Sequence, residues 1–184
     1  LDTTYNCFQP TSNGMNDCFL AKFDLNGQAK WITYFGGTQS DFSYAISIDA
    51  KSNIVIGGTS LSSTIHTTAQ SFQQNLAGAV DAFIARFNTN GQLKFSTFYG
   101  GSNAEDIHDI TADVDGNIIG VGGSFSNNLN TSAGCLQSSS NGGMEVYVLK
   151  LDSIGNRLFS TYIGGNGTDD SYGVCVDQQK NIYL

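Results

Sequence analysis

Acidic side chains follow each of three glycine pairs in the sequence, and these carboxylates are the residues that could bind a metal ion. Calcium takes several oxygen ligands, mostly from carboxylates and backbone carbonyls, so a glycine-rich loop beside one or two carboxylates is a candidate calcium site. The alternative is that these carboxylates accept hydrogen bonds from loop amides and keep the surface soluble. The candidate calcium ligands are Asp41, Glu105, Asp106, Asp169 and Asp170.

Signatures of catalysis are absent from the rest of the sequence. The two histidines, His66 and His108, belong to no metalloprotease or nucleophile-elbow motif. A single histidine at the start of a strand is typical of a packed or solvated structural residue. Asp49, Asp113 and Asp177 each precede a turn and an asparagine, where Asx-type hydrogen bonds to turn amides are their simplest role. The sequence therefore predicts a protein that is not an enzyme and that needs no cofactor other than calcium.

Composition excludes several classes of partner. The chain has 184 residues with 8 Lys and Arg against 16 Asp and Glu, a net charge of −8, so its surface is not suited to nucleic acid or to an anionic membrane. No apolar run is long enough to span a bilayer, which predicts no membrane insertion. The four cysteines lack the spacing of a zinc or thioredoxin motif. Four separate, mostly buried thiols are predicted, with one disulfide as the alternative.

An internal repeat organises the whole sequence. The segment 17–23 (DCFLAKF) recurs as 81–87 (DAFIARF) and as 145–151 (EVYVLKL), a step of 64 residues each time. The same step relates the Gly-Gly pairs, and it relates the Asn-Ile dipeptides that begin at 53, 117 and 181, without any gap. Such self-similarity is the signature of a repeat architecture. The repeat continues to both ends of the chain, which suggests a piece cut from a longer array.

Each repeat has the alternation of four short antiparallel strands in a meander. The Asp-Gly and Asn-Gly dipeptides predict tight hairpins in which both turn residues tolerate positive φ. The Gly-Gly pairs predict a sharp passage from the outer strand of one blade to the inner strand of the next, which also needs positive φ. Helix is expected nowhere, except for at most one turn around 69–76. A sheet with apolar residues on both faces must stack on its neighbours.

The predicted fold class is therefore all-β: a β-propeller fragment of four-stranded antiparallel blades with a 64-residue repeat. Two full blades are flanked by half-blades. A linear β-solenoid is the alternative, although its rungs are usually much shorter. The predicted organisation of the incomplete domain 1–184 is a partial connection at 1–16, a first repeat at 17–80, a second at 81–144 and a partial third at 145–184.

The repeats resemble those of the bacterial SBBP family, which form seven-bladed β-propellers. The matching motifs include DAFIAR at 81–86, FSTFYGG at 95–101 and FSTYIGG at 159–165. The resemblance covers essentially the whole chain. It implies a structural role in a large secreted or cell-surface bacterial protein, commonly of the Bacteroidetes, and hence an extracellular location.

The predicted function is a non-catalytic structural or interaction module. Its expected partner is a protein or a surface glycan, because no catalytic set stands out against residues that form strands, turns and glycine hinges. The first alternative is a calcium-assisted glycan- or protein-binding propeller. The second is a propeller glycan hydrolase or lyase, with residues from several blades meeting at the channel mouth.

Overall fold

Twelve antiparallel strands form the regular structure of the chain, and none of its residues is helical. The computed structural model describes residues 1–184. The expected helical turn at 69–76 is a series of turns and bends, and no helix is long and apolar enough to cross a bilayer. The strands are β1 (Cys18–Phe23), β2 (Ala29–Phe35), β3 (Asp41–Ile48), β4 (Ile54–Ser60), β5 (Asp81–Phe87), β6 (Leu93–Tyr99), β7 (Asp109–Ala112), β8 (Ile118–Ser124), β9 (Glu145–Leu151), β10 (Arg157–Ile163), β11 (Cys175–Val176) and β12 (Ile182–Tyr183).

The strands form four sheets in which each strand pairs with the next along the chain. The first full sheet has the order β3-β4-β5-β6 and the second has the order β7-β8-β9-β10. A half sheet of β1 and β2 precedes them and a half sheet of β11 and β12 follows. The first strands β3, β7 and β11 contact each other across sheets and form the inner edge of the stack. The predicted fold class, a β-propeller fragment with two full blades and two half-blades, is confirmed. The exact repeat boundaries stay predictions.

The first full sheet has a hydrophobic core on each face. Every residue of β5 is buried. Ala82 and Ile84 belong to one hydrophobic cluster, while Phe83, Ala85 and Phe87 belong to another. Because successive residues of a strand point to opposite faces, β5 packs against the preceding half sheet and against the second full sheet at once.

Burial at equivalent positions depends on whether a preceding sheet covers them. Phe83 is 0% exposed, whereas Phe19, 64 residues earlier, is 61% exposed. Ile110 is 3% exposed, whereas the equivalent Ile46 is 63% exposed and lines an apolar groove of about 550 Å³. The same residue types are thus core positions where strands of a neighbouring sheet cover them and surface positions where no strand does.

An aromatic side chain of each sheet packs on a hairpin glycine of the next sheet. A Cβ placed on Gly91 would lie 2.9 Å from the ring of Trp31, and a Cβ on Gly155 would lie 2.9 Å from the ring of Phe95. Trp31 Nε1 also donates a hydrogen bond to the backbone oxygen of Thr89 at 2.9 Å. The 64-residue step therefore relates the contacts between sheets as well as the sheets themselves.

Recurring aspartates at the end of the first strand of each full sheet form buried ion pairs. Asp49 accepts backbone hydrogen bonds in its own turn, as predicted, and it also pairs with Arg86 on β5. Asp113 and Lys150 form the equivalent pair in the second full sheet at 2.8 Å. Arg86 donates a further hydrogen bond to the Ser153 carbonyl of the following sheet. These side chains join distant strands and adjacent sheets.

The predicted positive φ at the Gly-Gly pairs is wrong. None of these six glycines is among the glycines with positive φ. The first glycine of the pair is instead required by a close approach, because a Cβ on Gly100 would lie 2.3 Å from Cγ of Asp81. The same approach brings Gly36 against Asp17.

The predicted hairpin geometry is wrong in one respect. Only one residue of each turn has positive φ: it is Ser52 in the β3–β4 turn and Gly116 in the β7–β8 turn. The amide of Ser52 donates to the Asp49 carbonyl at 2.8 Å, so the turn is type I followed by one left-handed residue. The left-handed position of this turn is thus serine in one repeat and glycine in the next.

The cysteines are separate, but their burial differs from the prediction. All four are free thiols, and only Cys18 is buried, while Cys175 is exposed. Burial, together with the charges of Asp41 and Asp17, raises the pKa of the Cys18 thiol to about 12. This thiol therefore behaves as an apolar core group.

Gly91→Ala is expected to destabilise the protein more than Gly27→Ala. Both glycines have φ of 75°, so each substitution costs about 1–2 kcal/mol of left-handed strain. Only Gly91 lies beneath an aromatic ring, since nothing approaches within 4 Å of a Cβ on Gly27. Overpacking against Trp31 adds about 1–3 kcal/mol in Gly91→Ala. Urea unfolding of the two variants measures the difference, and equal losses would contradict the packing between sheets.

Candidate functional site

The acidic residues predicted to bind calcium lie at or near the inner edge, in the loops that lead into the first strands. They occupy two successive positions of the repeat. Asp41, Glu105 and Asp169 share the first position, whereas Phe42, Asp106 and Asp170 share the second. Adjacent residues of an extended chain point to opposite sides, so the two positions have different surroundings.

Carboxylates at the first position accept hydrogen bonds inside the fold. The second glycine of the preceding Gly-Gly pair donates its amide to Asp41 at 2.7 Å, to Glu105 at 2.7 Å and to Asp169 at 2.8 Å. Serine hydroxyls add a second set of bonds, such as that from Ser124 to Glu105 at 2.7 Å. Burial raises the pKa of Asp41 and of Glu105, although these bonds oppose the rise. The first position therefore closes the Gly-Gly loop.

Carboxylates at the second position are joined by a histidine. His108 Nε2 lies 3.1 Å from Asp106 Oδ2, and His108 Nδ1 lies 3.2 Å from Asp170 Oδ1. The imidazole stacks on the ring of Tyr172, with centroids 4.8 Å apart and planes 1° from parallel. His108 Nδ1 also lies 3.2 Å from the backbone oxygen of Ser171, so both ring nitrogens face oxygen atoms. The cluster of Asp106, His108, Asp170 and Tyr172, called here the inner cluster, links β7 to the segment before β11.

The structure thus separates the five candidate calcium ligands. It brings Asp106 and Asp170 to the same histidine, and it places Asp41, Glu105 and Asp169 each in its own loop. No group of three His, Cys, Asp or Glu side chains has an arrangement that could hold a metal ion. Calcium binding at these residues stays a prediction.

Aromatic rings continue the inner cluster along the inner edge. Phe42 and Tyr44 stack with centroids 6.5 Å apart, and both rings are exposed. Tyr172 is 77% exposed. Burial and the charge of Asp106 raise the pKa of Tyr44, which places this phenol in the field of the inner cluster. Exposed ring faces beside carboxylates can stack on apolar surfaces and attract cations.

A glutamine network that sequence reasoning missed supports the loops of the inner edge. Gln73 Nε2 donates to Asp81 at 2.7 Å, and Gln73 Oε1 accepts the amide of Gly100 at 3.0 Å. Gln9 and Gln137 make the same pair of bonds in their own repeats. The recurrence of glutamine at the 64-residue step was the signal that could have revealed it.

Comparison with known proteins supports the repeat architecture. The chain is similar to an uncharacterized WD repeat-containing protein of Acanthamoeba polyphaga mimivirus, with 26% identity over 207 aligned residues that include 95% of this chain. The chain spans about 15% of the length of that relative. No family model matches the chain. WD repeats are blades of β-propellers, so the similarity agrees with propeller-like repeats here. Membership of the SBBP family stays a prediction.

Glu105→Gln and Asp113→Asn are expected to change stability with opposite dependence on pH. Burial raises the pKa of Glu105, so folding favours its protonated form, and this stabilisation is lost as the pH rises from about 4 through the raised pKa. Glu105→Gln removes that loss, so the free energy of unfolding of the variant increases relative to that of the wild type as the pH rises. Burial opposes ionisation of Asp113, but hydrogen bonds from Lys150 and Asn117 outweigh it and lower the pKa.

The stabilisation from Asp113 is therefore present above about pH 4 and lost as the pH falls through the lowered pKa, so Asp113→Asn costs most near neutral pH. Urea unfolding of both variants and the wild type across this pH range measures the differences in the free energy of unfolding. Differences of the same sign and slope would contradict the assignment of these two carboxylates.

Proposed function

We propose that this chain is a non-catalytic interaction module that binds a protein partner at its inner edge. The observation that supports the proposal is that recurring and varying positions of the repeat have different roles. Residues that recur in every copy form turns, ion pairs and loop closures, whereas the second position changes from Phe42 to Asp106 and the position two residues later from Tyr44 to His108. Side chains that vary on a constant scaffold are where a repeat protein places its binding surface.

The name of the mimivirus relative supports a repeat module and says nothing of catalysis. The inner cluster also does not resemble a reactive site, since both nitrogens of His108 already face carboxylates. A nucleophile with an adjacent free base is the arrangement that an enzyme of the hydrolase type needs. The geometry thus favours binding over reaction.

We infer further that the module belongs to a larger propeller of the SBBP kind in a secreted or cell-surface protein. The repeated motifs that resemble this family and the low charged fraction of 13% support the inference. Phe19 and Ile46 are exposed at positions that are buried in the next repeat, and further strands of the same repeat would cover both of them. The burial of Phe83 and Ile110 against neighbouring sheets shows the kind of contact that we expect there.

The partner surface we expect is a protein segment with Lys or Arg side chains. The inner edge combines exposed ring faces with the carboxylates of Asp106 and Asp170, on a chain of net charge −8. Cations bind over aromatic rings and near carboxylates, and electrostatic attraction also accelerates their association. The second candidate partner is a glycan that binds with calcium and stacks on the same rings. The exposed aromatic faces are the observation that supports it.

Titration of the isotope-labelled chain with a short Lys- and Arg-containing peptide and with a matched acidic peptide tests the proposal. Shifts of the Tyr44, His108 and Tyr172 signals are expected with the basic peptide only. The double variant Asp170→Asn, Tyr172→Ala is expected to weaken binding at least about tenfold, while Tyr5→Ala, at a fully exposed ring outside the inner edge, leaves binding unchanged.

Equal responses to both peptides, or a double variant that binds as the wild type does, would refute the basic-partner proposal. An oligosaccharide that binds only with calcium, and that loses this binding in Asp169→Ala, Asp170→Ala, would establish the glycan alternative instead.

A further inference from the structure

We propose that a groove between the two full sheets binds an oxyanion. The groove has a volume of about 650 Å³ and lies at the end of β3 opposite the Gly-Gly loop. Three cationic side chains line it, and they come from the β3–β4 turn, from β5 and from the start of β6. This basic groove is defined by Lys51, Arg86 and Lys94, with Asn53, Gln70 and Ser153 beside them.

The charge of the basic groove is opposite to that of the protein. Three of the eight Lys and Arg residues line this one groove, on a chain of net charge −8. The carboxylate of Asp49 is paired with Arg86, and that of Asp152 accepts hydrogen bonds from its own turn. Lys51 and Lys94 form no ion pair, so the groove has uncompensated positive charge.

Arg86, which lines the basic groove, has an unsatisfied buried donor. Arg86 is 5% exposed, and its two terminal nitrogens donate to Asp49 and to Ser153, whereas its Nε–H has no acceptor. The other buried polar side-chain atom without a partner is the hydroxyl of Ser71, adjacent to the lining residue Gln70. Buried donors are nearly always satisfied, and an oxyanion oxygen is the strongest acceptor for a guanidinium N–H.

The lysines of the basic groove are not required by the repeat. Lys51 is replaced by Asp115 and Gln179 in the later copies, and Lys94 is Lys30 in the copy before it but Leu158 in the copy after it. The equivalent of Arg86 is a cation in every copy, and it pairs with the recurring aspartate in both full sheets. The fold therefore requires a cation at Arg86 but not at the two lysine positions, and both lysines are exposed enough to close over a ligand.

Binding would place the anion between the two ammonium groups and the Nε–H of Arg86. A sulfate or phosphate group, or a carboxylate, satisfies these donors, and the source is either a free ion or a group on a larger molecule. The basic groove lies apart from the inner cluster, so this inference does not depend on the proposed partner at the inner edge.

Titrations with sodium sulfate, sodium phosphate and sodium acetate, each at constant ionic strength set with sodium chloride, test the inference by amide shifts and calorimetry. Saturable shifts at Lys51, Arg86 and Gln70 are expected for at least one of these ions. Binding of sulfate and phosphate alone indicates a tetrahedral group as the ligand, whereas binding of acetate alone indicates a carboxylate.

The double variant Lys51→Gln, Lys94→Gln is expected to weaken binding at least about tenfold, and its exposed positions leave the fold intact. Lys30→Gln is the matched control, because Lys30 is the repeat equivalent of Lys94 but pairs with Asp24 at 2.8 Å. Absence of saturable shifts with all three ions, or the same loss in Lys30→Gln, would overturn the inference.

Discussion

Burial of both faces of every sheet is the constraint from which the rest of this structure follows. Along β5, alternate side chains enter two different hydrophobic clusters, so the first full sheet is stable only between two neighbours. Full burial of a phenylalanine stabilises a protein by about 1.5–3 kcal/mol relative to leaving it exposed. Phe83 is fully buried between two sheets and has this stabilisation, whereas its equivalent Phe19 is 61% exposed.

The repeat separates the residues that build the fold from the residues available for binding. Glutamine bridges, aspartate turns and the cation on the third strand recur with the same partners in successive sheets. The inner cluster and the basic groove each contain a side chain that changes from copy to copy: His108 is tyrosine in the other copies, and Lys51 is replaced by Asp115 and by Gln179. One scaffold thus presents an acidic, aromatic surface at its inner edge and a cationic groove elsewhere.

The 64-residue step was enough to predict the sheets, because a strand pattern repeated in register leaves few alternatives for the fold. Contacts between separated residues could not be predicted in this way. Position 100 must be glycine because the carboxylate of Asp81, on another strand, leaves no room for a Cβ. The predicted reason, a local preference for positive φ, was wrong. The link from Asp106 to Asp170 through His108 depends on two first strands lying side by side.

The candidate calcium ligands illustrate the same limit. Glu105 and Asp106 are adjacent in sequence and read as one acidic cluster, yet in an extended chain their side chains point to opposite sides. One closes a loop within the fold, and the other faces a histidine of the inner cluster. Charge counted along the sequence therefore predicted where acidic residues lie but not which of them share a site.

Stacking of successive sheets is tested most directly by nuclear Overhauser contacts of the single tryptophan. The structure predicts contacts between the Trp31 ring and the Hα protons of Gly91, together with an upfield ring-current shift of those protons. Contacts of the Trp31 ring confined to its own β1–β2 hairpin would contradict the stacked arrangement.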